Sequence, residues 1–157
     1  MLPRAEFIQL LRTSPLVSID IVVRDIDGRV LTGWRTNAPA RDTWFVPGGR
    51  LRKDESFAAA LARISAYELG VELKQADVSF MGVYQHIYPD NAPGVAALST
   101  HYVVIACTVT LEPEALRLDP GQHSETRWFT VDELLAHPDV HDNTRAYFVE
   151  RPDNRFG

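Results

Sequence analysis

Behind a leading proline, residues 3–12 (PRAEFIQLLR) place Phe7, Leu10 and Leu11 at helical spacing, which predicts a short helix. The period then changes. In PLVSIDIVVRD, Val17, Ile19, Ile21 and Val23 alternate with Ser18, Asp20 and Val22, as in a strand. DIDGRV reads as a turn, VLTGWR as the returning strand, and WFVP as a short strand running into a glycine turn at Gly48 and Gly49. Helical periodicity returns from about Ser56 to Leu69, with Asp54 or Ser56 as N-cap and Gly70 as the stop. DVSFMGVYQHIY and STHYVVIACTVTL are two longer strands separated by a Pro/Gly-rich loop, and EPEALRLDPGQHSE is a second long loop. TRWFT reads as a last short strand, VDELLAH as a turn or two of helix, NTRAYFVE as a final helix and RPDNRFG as a frayed tail. Helices and strands mix without regular βαβ alternation. That predicts an α+β domain with a mixed sheet, one domain over residues 1–157.

On a helical wheel Phe57, Leu61 and Ile64 form a narrow stripe with Ala60 beside them. The next position on that stripe is Glu68. A carboxylate aimed at the protein needs a partner, because burying an unpaired charge is costly. A frayed last turn that lets Glu68 reach solvent fits the spacing equally well.

Composition narrows the class. Hydrophobic residues make up 45% of the chain, enough for a real core, and the net charge of −5 excludes a broad basic surface for nucleic acid. Of 16 basic residues only Lys53 and Lys74 are lysines. Arginine binds phosphate bidentately, so a local anion site fits within an acidic protein, although a coding bias explains the bulk of the arginines as well. The single cysteine, Cys107, lies in an apolar run and reads as a buried small hydrophobe. MLPRAEF has no apolar signal region and no run reaches membrane-spanning length, so a cytoplasmic protein without a membrane partner is expected.

The residues from Gly49 onward carry a specific pattern. Gly49, five residues, Glu55, seven residues and Arg63 are followed by Glu68, Gly70 and Val71. This resembles the Nudix box, G-x5-E-x7-R-E-U-x-E-E-x-G-U with U a bulky apolar residue, and WFVPGG and RWFTVDELL resemble Nudix framework. The resemblance implies an α/β/α layered fold. Two box glutamates are replaced, by Ile64 and Tyr67. The flanking segments TSPLVSID, RTN, WFVPGGR, YQHIY, THYVV, DPGQHSE and NTRAYF are similar to the branch of the family that hydrolyses GDP-mannose, and GDP-glucose, at the sugar carbon rather than at phosphorus.

For this chain the branch resemblance implies the following roles. Glu68, Gln122 and the carbonyl of Gly48 would hold one Mg2+ per subunit, with Mn2+ able to substitute, on the diphosphate of a nucleotide-sugar substrate. His123 would be the general base. Arg50 and Arg63, assisted by Arg35, would offset charge on the leaving group, and Tyr102 would donate to it. Asp20 and His86 would line the site. The resemblance also implies a homodimer, with the N-terminal extension (about 1–16) at its interface. Residue by residue, alternatives stand beside these roles. His123 is also readable as an idle loop histidine and His86 as a core histidine. Asp20 lines the site only if its face of the strand is the pocket face. His101 and Tyr102 point to opposite faces, and Tyr102 is taken as the pocket residue. His137 and His141 read as surface residues, Trp44, Trp128 and Phe129 as framework, and Glu55 as a structural partner of Arg63. A Nudix diphosphatase acting at phosphorus is the main rival, and a non-catalytic nucleotide-sugar binding module is the third reading.

Overall fold

The computed structural model describes residues 2–118 and 124–156. In chain order the elements are α1 (Arg4–Thr13), β1 (Leu16–Arg24), β2 (Val30–Trp34), β3 (Trp44–Phe45), β4 (Gly48–Arg50), α2 (Phe57–Leu69), β5 (Ser79–Tyr88), β6 (Thr100–Thr110), β7 (Thr126–Phe129), α3 (Val131–Ala136), α4 (Asp142–Arg145) and β8 (Arg155–Phe156). The sheet runs β3-β2-β1-β6-β5-β8, with β4 paired to β1 and β7 to β2. The β1–β6 pair is parallel and the other pairs are antiparallel, so the sheet is mixed. α2 packs on one face of β1 and α3 with the Tyr147 turn packs on the other, as the expected α+β layering requires.

β1 is the central strand, and its alternation sorts side chains between two cores. Ile19, Ile21 and Val23 pack with Ala60, Leu61, Ile64 and Leu69 of α2. Val22 packs on the opposite face with Val104, Ala106, Phe129, Leu134 and Tyr147. The DIDGRV turn is closed by Asp25, whose carboxylate accepts from the amides of Asp27 and Arg29 and from Arg29 Nε.

Ser56 caps α2, its hydroxyl accepting from Ala59 N at 3.2 Å. Gly70 ends the helix at φ +67, and any Cβ there would collide with Arg117. The same junction ties the chain beyond β6 to α2, because Arg117 N donates to Leu69 O at 2.8 Å.

Several expectations need correction. The glycine pair is not a turn: Gly48–Arg50 is β4, paired in register with Ser18–Asp20. The tail is not frayed, since Arg155 and Phe156 add an edge strand to β5. Phe57 belongs to the apolar stripe by spacing but is 52% exposed, because nothing among the described residues covers the start of α2. The last helix is a single turn followed by a 3-10 turn at Ala146–Phe148. No helix of the described residues is long and apolar enough to cross a membrane.

Candidate functional site

The face of β1 that carries Ser18 and Asp20 is a pocket face. Register carries it across the sheet: Leu16 lies opposite Tyr102, which lies opposite His86, so β1, β6 and β5 offer a row on the same side. Ser18, Asp20, His86 and Tyr102 line one pocket with Arg50 of β4 and Arg35 of the loop after β2. His101 points the other way, its ring nitrogen 3.0 Å from the Gln85 amide.

Antiparallel ladder geometry aims Gly48. The ladder bonds fall at Ile21 N to Pro47 O and at Leu51 N to Val17 O, both 2.8 Å. By the two-residue alternation, the Asp20–Gly48 pair is a non-hydrogen-bonded one, and Gly48 directs its own N–H and C=O away from β1. A Cβ on Gly48 would clash with the Asp20 carboxylate and come within 2.9 Å of the Ile19 carbonyl. Glycine is what lets β4 lie this close to Asp20. Gly48 and Arg35 form the wall shared with an adjoining groove, which Glu68, Tyr67, Trp34 and Asn37 complete. Glu68 is therefore half-buried and groove-facing, not a frayed solvent residue.

Electrostatics set Asp20 apart. Burial pushes its carboxyl up to about 7; the Tyr147 hydroxyl and Arg35 oppose that rise and Glu68 adds to it. Tyr147 donates to Asp20 Oδ2 at 2.5 Å from a 3-10 turn 127 residues away. His86 is 2% exposed, and burial pulls it down to about 3, with nearby His141 adding to the effect, so it is neutral at physiological pH. The hydroxyls of Tyr88 and Tyr147 stand 3.5 Å from its two ring nitrogens. Burial also raises the Tyr102 phenol, which keeps it a hydrogen-bond donor at neutral pH.

Not every anticipated residue joins this group. Arg63 forms a two-bond pair with Glu55 (2.7 and 2.8 Å) and donates to the Arg50 carbonyl at 2.9 Å. Its guanidinium is committed to fixing the loop before α2, and it lines neither the pocket nor the adjoining groove. Arg50 lies 4.5 Å over the Phe7 ring of α1 and still faces the pocket. Ile64 is 2% exposed and sits in the core against Gly49, whereas Tyr67 is 64% exposed. Gln122 and His123 fall outside the described residues. The described ends of their segment are anchored at Leu69 O, by Arg117 N, and at Trp34 N, which donates to Glu125 O at 2.9 Å. The second anchor, Trp34, borders the Glu68 groove.

His137 and His141 are corrected from surface to half-buried: His137 packs edge-on against Phe129, and His141 against Phe45 and Tyr88. Sequence reasoning also missed Tyr88 and Tyr147. Tyr88 had a signal, being two residues from His86 on one strand face; Tyr147 had none, since only tertiary folding brings it to β1. Cys107 is buried as expected, and burial pushes its thiol up to about 12.

Metal-holding capacity here is modest. Among the described residues no group of three or more His, Cys, Asp or Glu side chains could hold a metal ion. One carboxylate, Glu68, and a carbonyl free of its strand partner, Gly48, border one groove, which fits a single hard cation completed by substrate oxygens and water.

Comparison with known proteins agrees with this architecture. The NUDIX domain model matches residues 14–151. The chain is 39% identical over 139 residues to the low-salt glycan biosynthesis protein Agl8 of Haloferax volcanii, covering 88% of this chain and 86% of that protein. Among solved structures it is similar to a MutT NUDIX hydrolase from Burkholderia pseudomallei (27% identity, TM-score 0.67, 85% of this chain and 95% of that one). It is also similar to a MutT protein from Methanosarcina mazei Go1 (19% identity, TM-score 0.67, 87% and 92%). Nudix hydrolases act on nucleotide derivatives and generally use divalent metal ions. With its box at Gly49–Val71 and its mixed sheet between helices, the chain belongs to the Nudix hydrolase family.

Proposed function

We propose that the chain hydrolyses GDP-mannose, and GDP-glucose, to GDP and free hexose by attack of water at the anomeric carbon. The observation that carries this reading is the depleted α2: Glu68 faces the groove, while Ile64 is buried in the core and the exposed Tyr67 brings a phenol rather than a carboxylate to the groove's edge. Attack at phosphorus calls for clustered ions to activate water. Departure of a nucleoside diphosphate from carbon needs mainly charge neutralisation of a leaving group that is already good. Kinship with a protein named for glycan biosynthesis supports nucleotide-sugar chemistry.

Glu68, the Gly48 carbonyl and Gln122 would hold one Mg2+, or Mn2+ in its place; when bound, the ion supplies positive charge to the diphosphate. Arg35 and Arg50 add to that charge from the pocket wall, and Tyr102 donates a hydrogen bond to the leaving oxygen. Asp20 and His86 hold the sugar. His123 takes the proton of the attacking water as the C1–O bond forms, and the electron pair of the broken C1–O bond leaves with GDP. A single displacement inverts the anomeric centre. Chromatography of the products tests this. GDP and free mannose are expected, with turnover falling by several orders of magnitude in His123→Gln while GDP binding is kept. GMP and mannose 1-phosphate would overturn the proposal.

A further inference from the structure

The closed end of the pocket carries more hydrogen-bonding groups than the proposed reaction uses. Asp20 of β1, His86 and Tyr88 of β5, and Tyr147 of the 3-10 turn after α4 are all buried there. Asn143 and Tyr147 stand four residues apart on the C-terminal segment. The first bonds the Tyr88 hydroxyl and the second the Asp20 carboxylate. Among the described residues, no buried nitrogen or oxygen of these five side chains lacks a partner. Three distant parts of the sequence therefore meet in one closed polar array.

One proton settles the direction of these bonds. The Tyr147 hydroxyl has a single hydrogen, and it donates this to Asp20 Oδ2 at 2.5 Å. Toward His86 Nε2, 3.5 Å away, the Tyr147 oxygen can then only accept, so Nε2 carries the ring hydrogen. That leaves Nδ1 of the neutral ring bare, and it accepts from the Tyr88 hydroxyl at 3.5 Å. The Tyr88 oxygen in turn accepts from the Asn143 amide. The opposite tautomer would set a bare Nε2 against the Tyr147 oxygen with no hydrogen between them. Both 3.5 Å bonds are long, so they govern direction more than strength. The Tyr147 ring is itself wedged, packed edge-on against Tyr84 with centroids 4.7 Å apart. Asp20 Oδ1 lies on the other side, toward Gly48 of the pocket lining, where an added Cβ would meet it at 2.3 Å.

We propose that Asn143, Tyr88, His86 and Tyr147 form a one-way hydrogen-bond array that fixes the Asp20 carboxylate, with Oδ2 held in the core and Oδ1 presented to a sugar hydroxyl. Tyr147 is thereby a positioning residue, acting on substrate only through Asp20. The sugar as occupant rests on the proposed function; the direction of the array does not. Without the Tyr147 hydroxyl the carboxylate is free to turn about its Cβ–Cγ bond, and a shift of about 1 Å in a positioning group can cost about a hundredfold in rate.

Long-range 1H–15N correlation spectra of the 15N-histidine-labelled protein test the array without reference to activity, with the His86 signals assigned by their loss in His86→Gln. Wild type should show His86 as the Nε2–H tautomer, and Tyr147→Phe should show the Nδ1–H form or a mixture. Steady-state hydrolysis of GDP-mannose with Mg2+ tests the positioning. Tyr147→Phe should lower kcat/KM by about tenfold to a hundredfold, while calorimetry shows GDP affinity unchanged. Tyr84→Phe removes a neighbouring phenol hydroxyl outside the array and should alter neither readout. An Nδ1–H tautomer in wild type would overturn the proposal, whether or not Tyr147→Phe folds. So would unchanged turnover in Tyr147→Phe, or a loss of GDP affinity that matches the loss of turnover. A wild type inactive on GDP-mannose would instead remove the proposed reaction, and the two tautomers would decide the array alone.

Discussion

Asp20→Asn should gain stability over wild type as pH rises, while losing the chemistry of the carboxylate. The Asp20 carboxyl is buried, and burial lifts it from 3.8 to about 7. A carboxyl raised in the folded state favours folding fully below its unfolded value of 3.8 and loses that contribution as pH rises through about 7. At pH 8.5 the folded chain must ionise a group in a dry environment, while the unfolded chain ionises it freely. Raising a pKa by one is equivalent to about 1.4 kcal/mol, so between pH 5 and 8.5 wild type should lose about 3 kcal/mol relative to a side chain that does not titrate. Asparagine keeps the size and still accepts from the Tyr147 hydroxyl. Urea unfolding, followed by tryptophan fluorescence in EDTA, gives both stabilities at each pH. The wild-type curve should fall away from the Asp20→Asn curve as pH rises. Parallel curves across that range would refute the inference that Asp20 is held buried with a raised pKa.

Other substitutions probe the frame around Asp20. Gly48→Ala drives a methyl into the Asp20 carboxylate and toward the Ile19 carbonyl, and thermal unfolding should show a loss of about 1–3 kcal/mol together with reduced hydrolysis. Glu55 is pulled down from 4.5 to about 2, chiefly by its hydrogen bonds with Arg63, so its contribution is present above about pH 4.5 and lost as pH falls toward 2. The stability gap between wild type and Glu55→Gln should accordingly close across that window in acid titrations. Tyr67→Glu adds an exposed carboxylate beside Glu68 and should tighten Mn2+ binding, read by electron paramagnetic resonance, by about tenfold. Ile64→Glu buries a charge in the core and should cost about 3 kcal/mol or more, measured by urea midpoint.

Much of this site could be read from the order of residues. Period-two alternation placed Asp20 opposite Ile19 and Ile21 and set His101 and Tyr102 on opposite faces, while the resemblance assigned Tyr102 to the pocket. Box spacing located Glu68 and paired Glu55 with Arg63. What escaped was non-local. Gly48 and Gly49 looked like a turn because glycine is permissive; their strand pairing depends on the approach of β1, which no local pattern reports. Tyr147 reaches Asp20 only after the C-terminal segment folds across the sheet. Phe57 was assigned inward by a wheel that could not know where the cover ends.

Which atom water attacks is the central claim, and 18O-labelled water answers it directly. Hydrolysis of GDP-mannose in 18O-water with Mg2+, followed by mass spectrometry of both products, should place the label in mannose and leave GDP unlabelled. Label in the nucleotide product would place the attack at phosphorus and contradict the account.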